Sequence, residues 1–191
     1  MNRLTALIFC LSVLTLSHAQ VTSYGLSVEV VAEHQSGVLS GMTTYRLYME
    51  CVNADDVVSS VSGDAIFPLE VNTTTTFYQD ALGAATPNAV NPLLFGFFAD
   101  LEFDTWMTIG IEQQPVGTNN EGEISVVESP TQGWVLPFES GGNIVIDDPT
   151  GGAWFVTQNY TNGVAGDDHK VLLAQTVSYT HLRAHETLLY R

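Results

Sequence analysis

Basic residues are nearly missing from this chain. Its 191 residues include five Lys and Arg against 21 Asp and Glu, a formal charge of −16. Between Gln20 and Thr176 the only cations are Arg46 and Lys170, whereas every acid except Glu186 lies there. Nucleic-acid affinity rests on clustered Lys and Arg, so a phosphate-backbone partner is excluded. Docking on anionic lipid is excluded for the same reason. Cysteine is scarce as well: only Cys10 and Cys51 occur. A disulfide-stapled scaffold needs more. No apolar run reaches the length of a membrane-spanning helix, which excludes insertion by that route. A Gly-x-Ser-x-Gly elbow, a Gly-rich loop closed by Lys and a Cys-x-x-Cys pair are all missing.

The start of the chain carries an export pattern. Met1-Asn2-Arg3 is short and basic, Leu4–Leu16 is apolar, and Ser17-His18-Ala19 supplies small residues for cleavage after Ala19. Residues 1–19 therefore read as a signal peptide, and the protein is expected to be secreted or held at the cell surface. Cys10 falls inside that peptide, and Phe9 before it is too large for a lipoprotein cleavage box. At the other end, Val177-Ser178-Tyr179-Thr180-His181-Leu182-Arg183-Ala184-His185-Glu186-Thr187 resembles the conceptual translation of a transposase sequencing adaptor. Residues 177–191 are accordingly expected to be a non-native or disordered tail, with the natural gene running on past Thr176. His181 and His185 have the spacing of helical metal ligands, but the adaptor reading removes them.

Residues 20–176 suit one domain with a real core. They are rich in Val, Thr, Ile, Phe and Tyr and punctuated by Gly, Asn, Asp and Pro, a β pattern. Leu26, Val28 and Val30 alternate with polar neighbours, as do Tyr45, Leu47, Met49 and Cys51, so each set predicts a strand with one buried face. Further strands are predicted at Val57–Ser62, Ala65–Leu69, Thr73–Tyr78, Thr105–Glu112, Glu123–Val127, Asn143–Ile146, Ala153–Gln158 and Val171–Thr176. The expected fold is an all-β antiparallel sandwich, with a jelly roll as one form of it. Asn143–Ile146 and Ala153–Val156 predict a hairpin closed by Asp147–Gly152. Helical patterning is limited to one turn at Phe77–Leu82. The apolar run Leu93-Leu94-Phe95-Gly96-Phe97-Phe98 is expected to plug one end of the sandwich; an exposed binding patch is the competing reading.

Chemistry has few anchors. His34 and His169 sit in no motif and read as satisfied surface histidines. Glycan hydrolysis needs two facing carboxylates, and the scattered acids assign no pair, so the chain is read as noncatalytic. Calcium takes several oxygen ligands, and acidic pairs in turns can converge where those on a strand would diverge. Asp147 and Asp148, Asp167 and Asp168, and Asp55-Asp56 are the candidates, with Asn159, Asn162 and the 163–166 loop beside the second pair; solvated turns are the competing reading. Trp106, Trp134 and Trp154 are candidate platforms for stacking on sugar, set against core packing. Cys51 reads as a small buried apolar residue. Asn72-Thr73-Thr74 and Asn159-Tyr160-Thr161 match the N-glycosylation pattern.

Several segments carry a wider likeness. Thr43–Tyr48, Thr86–Gly96, Asp104–Gly110 and Gly152–Val156 resemble uncharacterised secreted domains from marine bacteria, notably Bacteroidota. The resemblance implies an exported β-rich module followed by further domains, and assigns no catalytic residue. The function expected is a structural or adhesive surface module, whose partner is an extracellular glycan or a surface protein. The alternatives are a carbohydrate-binding module, with or without calcium, and a small glycan hydrolase.

Overall fold

A computed structural model describes residues 23–179 and the backbone of Arg183–Ala184. The expected signal peptide, Cys10, His181 and His185 lie outside the described residues. The strands are β1 (Gly25–Glu33), β2 (Thr43–Glu50), β3 (Ser60–Gly63), β4 (Leu69–Asn72) and β5 (Trp106–Met107). After them come β6 (Ser125–Val127), β7 (Ile144–Ile146), β8 (Gly152–Phe155), β9 (Lys170–Ser178) and β10 (Arg183–Ala184). One short helix, α1 (Val135–Glu139), precedes β7.

Every strand pairing is antiparallel. The first sheet has the order β1-β2-β9-β5, the second β10-β4-β7 and the third β3-β8-β6. β9 is flanked on both edges and buried from Val171 to Ser178. Its uninterrupted apolar start, Val171-Leu172-Leu173-Ala174, is what a strand covered on both faces needs. The strand outruns the expected Val171–Thr176, and Val177 packs with Leu39 and Met42. One apolar cluster draws on all three sheets: Met49, Met107 and Leu173 from the first, Val71, Ile144 and Ile146 from the second, Trp154 from the third.

Several expected elements take another form. Val28 and Val30 were expected on a buried face, yet both are exposed. β1 is an edge strand, its register slips between Val30 and Ala32, and Leu26 is its residue that packs against the core. The predicted β7–β8 hairpin does not form. β7 pairs with β4, whereas β8 pairs with β3 and β6, so the Asp147–Gly151 turn carries the chain between two sheets. Gly151 has φ of +74°, and a side chain there would strike the Gly63 carbonyl.

Ala65–Leu69 is a turn for most of its length, because the Asp64 carboxylate accepts the amides of Ile66 (2.7 Å) and Phe67 (2.8 Å). Thr73–Tyr78 forms no strand; its amides go to Asn143 Oδ1, Gly141 O and Val177 O. In Thr105–Glu112 only Trp106–Met107 is laddered, and Gly110 turns away at φ +72°. The helix appears at α1 rather than at Phe77–Leu82. Pro137 there lies in the first turn, where its missing amide costs nothing, and Glu128 Oε1 accepts the Val135 amide at 2.7 Å.

Candidate functional site

The three tryptophans are interior residues. Trp106 and Trp134 are 1 % exposed and Trp154 is 2 % exposed. Trp134 and Trp154 lie with ring centroids 5.6 Å apart, and Trp134 also meets Phe138 at 6.3 Å. Trp134 donates to Val127 O (3.2 Å) and Trp154 to Thr108 O (3.1 Å). Trp106 packs with Val90 and Leu172. The sugar-stacking reading of these three rings is therefore corrected to core packing: a ring enclosed on both faces presents none to a ligand.

Among the described residues, Asp147, Asp148 and Asp56 are engaged by the protein's own donors, whereas Asp167 and Asp168 are not. Asp148 accepts from Ser129 Oγ, from Thr131 Oγ1 (2.9 Å) and from the Gly151 amide (2.7 Å). Its pKa is held below the ordinary value, chiefly by the Ser129 hydroxyl. Asp147 accepts from Gln132 Nε2 at 2.6 Å. Together they tie the 129–132 loop to the crossover between sheets. Asp167 and Asp168 are exposed. They stand on a loop that adjoins Asp55-Asp56 through Ala165 N→Asp56 O (3.0 Å) and Gly166 N→Ala54 O (2.9 Å). Asp56 is turned inward to Asn53 N (2.8 Å), and that bond lowers its pKa. Among the described residues, no three His, Cys, Asp or Glu side chains converge as a metal site would.

A thermal melt in EDTA and then in millimolar calcium should give midpoints within about 1 °C. A saturated site would add roughly 2.7 kcal/mol, or about 5–10 °C for a domain of this size. A rise of that size would support the calcium reading of Asp147, Asp148, Asp167 and Asp168.

Both described histidines are half-buried and held by local contacts. His34 Nε2 is 2.8 Å from Thr44 Oγ1, with its ring edge-on to Phe103, and His169 Nδ1 is 3.0 Å from Val52 O. Cys51 is buried without a disulfide partner among the described residues, and burial pushes its thiol pKa up.

The apolar run 93–98 does not form the expected plug. Leu93 is 82 % exposed and Phe97 84 % exposed, whereas Phe95 packs beside Trp106. Asn91 Oδ1 caps a tight turn at Pro92–Leu94, and the Phe97 and Phe98 amides close onto Leu94 O. Turns this short splay their side chains, so most of the run faces outward.

An open polar groove of about 560 Å³ is lined by Asn88, Gln114, Glu121, Glu123, Ser125, Thr157 and Tyr160 among others. Loops far apart in sequence build it, and paired side-chain bonds hold them in register. Asn88 exchanges two bonds with the Ile124 backbone, at 2.8 and 3.0 Å. Asn162 does the same with Gly122, at 2.8 and 2.9 Å. Asn120 Nδ2 donates to Asn159 O (2.8 Å), and Thr161 Oγ1 donates to Asn119 O (2.8 Å). Asn120 and Asn159 both hold positive φ, a conformation asparagine tolerates better than most residues.

Glu121 is consumed internally by Val116 N (2.7 Å) and Asn119 Nδ2 (3.0 Å). Tyr160 is 42 % exposed and rests against Gly122, where an added Cβ would come within 2.2 Å of the ring. The side chains of Gln114, Glu123, Ser125, Thr157 and Tyr160 have no hydrogen-bond partner among the described residues.

Comparison with protein-family models, curated proteins and solved structures finds no match. The groove must be read from its own chemistry. Sequence reasoning noticed Asn159 and Asn162 but placed them beside Asp167 as metal ligands. Their place is instead in the lattice of bonds beneath Tyr160. The clusters Gly117–Gly122 and Asn159–Gly163, dense in Asn and Gly, were the available trace of two tight turns, but nothing in them told that the turns meet.

Proposed function

We propose that the protein is a noncatalytic, exported β-sandwich module that adheres to an extracellular polymer through the groove beside Tyr160. The supporting observation is that bonded loops shape the groove while several of its exposed lining side chains remain open to a ligand. Loop-to-loop bonds through Asn88, Asn162 and Asn120 preorganise it, and Gln114, Glu123, Thr157 and Tyr160 line it as exposed residues whose side chains make no hydrogen bond among the described residues. Preorganised loops lose less freedom on binding, and so retain more of the contact energy as affinity. Export is supported by the pattern of residues 1–19. The sandwich arrangement is supported by the single apolar cluster shared by three antiparallel sheets.

The noncatalytic reading is supported by the carboxylates. A glycosidase uses two facing acids. Of the two that line the groove, Glu121 is already committed to backbone and side-chain donors. A second contact surface is favoured by the exposure of Leu93 and Phe97, which would suit a surface-protein partner.

Retention on insoluble extracellular polysaccharides, with reducing ends assayed in the supernatant, tests the reading. The expected result is retention on at least one polymer without release of reducing ends. Release of reducing ends would make the protein a hydrolase. A protein that washes through every polymer is not this kind of module.

A further inference from the structure

The groove also carries an indication of what it holds, and this step rests on the binding reading above. We propose that its ligand is an uncharged saccharide chain, stacked on the ring of Tyr160 and hydrogen-bonded by Gln114, Glu123, Ser125 and Thr157. Sugars combine apolar C–H faces with closely spaced hydroxyls. A site for them needs an exposed aromatic face and several hydrogen-bonding groups that the protein has not already used. The groove supplies both. Tyr160 has one side braced by Gly122, which fixes the ring without enclosing it. Around it stand an amide, a carboxylate and two hydroxyls, all without internal partners. The volume of about 560 Å³ lies within the range of small-ligand sites.

Charge narrows the class. The groove is lined by Glu121 and Glu123, and none of its lining residues is basic. Arg46 and Lys170 are engaged elsewhere, with Glu112 at 2.8 Å and Glu50 at 3.7 Å. A uronate or sulfate group would lose water and meet repulsion with no compensating cation. A hydroxyl can donate to the free Glu123 carboxylate, a charge-assisted bond stronger than one between neutral groups.

Amide chemical-shift titration of the whole protein tests this. The neutral probes are cellohexaose, laminarihexaose and mannohexaose; the anionic ones are oligogalacturonate and a sulfated oligosaccharide. At least one neutral probe should bind with roughly millimolar affinity or better and shift the amides of Gly117, Gly122, Ser125 and Thr157. Tyr160→Ala should weaken it about tenfold or more, Tyr160→Phe should retain it, and Gln114→Ala should weaken it about threefold. The map on the unmutated protein keeps the test meaningful should Tyr160→Ala disturb the loop. Tighter binding of oligogalacturonate than of every neutral probe would overturn the ligand class and leave the module reading intact. Neutral binding with shifts elsewhere and no dependence on Tyr160 would overturn the site. Failure of every soluble saccharide would overturn this inference; polymer retention would then still support the broader one.

Discussion

Replacing Gly110 with alanine should lower the thermal midpoint by about 10 °C and weaken ligand binding at a groove whose wall Gly110 does not line. The position allows no side chain. Its φ is +72°, and an added Cβ would sit 1.6 Å from the carbonyl oxygen of Asn162. That neighbour is backbone, so it cannot swing away as a side-chain end could. Gly110 is also anchored, with its amide donated to Leu172 O at 2.8 Å on the central strand β9. Relief must come from displacing Asn162, which holds Gly122 through its two bonds, and Gly122 in turn supports Tyr160. Left-handed φ for a non-glycine residue costs roughly 1–2 kcal/mol, and a forced backbone shift adds about 1–3 kcal/mol. At about 2–4 °C per kcal/mol, the fall is on the order of 10 °C. Gly96→Ala is the matched control: nothing lies within 4 Å of its added Cβ and its φ is not positive, so its midpoint should move by no more than about 2 °C. Equal midpoints for the two variants would mean that the Gly110–Asn162 packing is not as described.

The same linkage explains what could be read in the sequence and what could not. β1, β2 and β9 were legible as strands because each is long and its pattern local: alternation in the first two, though in β1 it marked no buried face, and an unbroken apolar run in the third. The turn at Asp147–Gly152 was legible as a reversal, since Pro149 and Gly151 forbid a continuing strand. Its consequence was not legible, because β7 finds its partner in β4, some seventy positions back, and β8 in β3 and β6. Turn chemistry fixes where a chain bends and leaves open which sheet receives it. Aromatic content behaves likewise: for Trp134 and Trp154 composition favoured the core over a platform without naming their partners, which are Phe138 and Val127 for the first and Thr108 for the second. In the run 93–98, hydrophobicity suggested a buried plug, but the local demand of Asn91 and Pro92 for tight turns prevailed. The groove lay furthest from view. Its free groups come from β6, the 114–123 loop and the turn after β8, and none forms a motif alone. Tyr160 stood inside a glycosylation pattern and offered no other sign.

Asp104 should give the protein a stability that falls as pH rises from 5 to 8, opposite to the usual behaviour of a carboxylate. The residue is fully buried. Its oxygens accept the amides of Asp80 (2.7 Å) and Ala84 (3.3 Å), and no space is left for a Cβ on Gly83. Burial raises its pKa to about 7 from an ordinary 3.8. The amides of Asp80, Ala84 and Thr105 oppose that shift, while the charge of Asp80 adds to it. Between those two values the folded chain holds a proton that the unfolded chain has lost. The resulting stability is fully present below pH 4, declines as pH rises toward 7 and is gone above it. At 1.36 kcal/mol per unit the full change is on the order of 4 kcal/mol, of which roughly 2.7 kcal/mol falls between pH 5 and 8. Asp56 and Asp148 act in the opposite sense, but their lowered pKa values place their effect below pH 4, outside this window. Asp104→Asn removes the titration. It keeps a carbonyl for the Asp80 amide but turns an NH2 toward that of Ala84, so at pH 5 it should be the less stable protein. As pH rises to 8, the variant's midpoint should gain on the natural one by about 5–10 °C. Melts of both proteins at pH 5, 6, 7 and 8 measure this directly. A difference that stays constant across the four would show that Asp104 is already ionised in the folded chain, stabilised by its three amides despite burial.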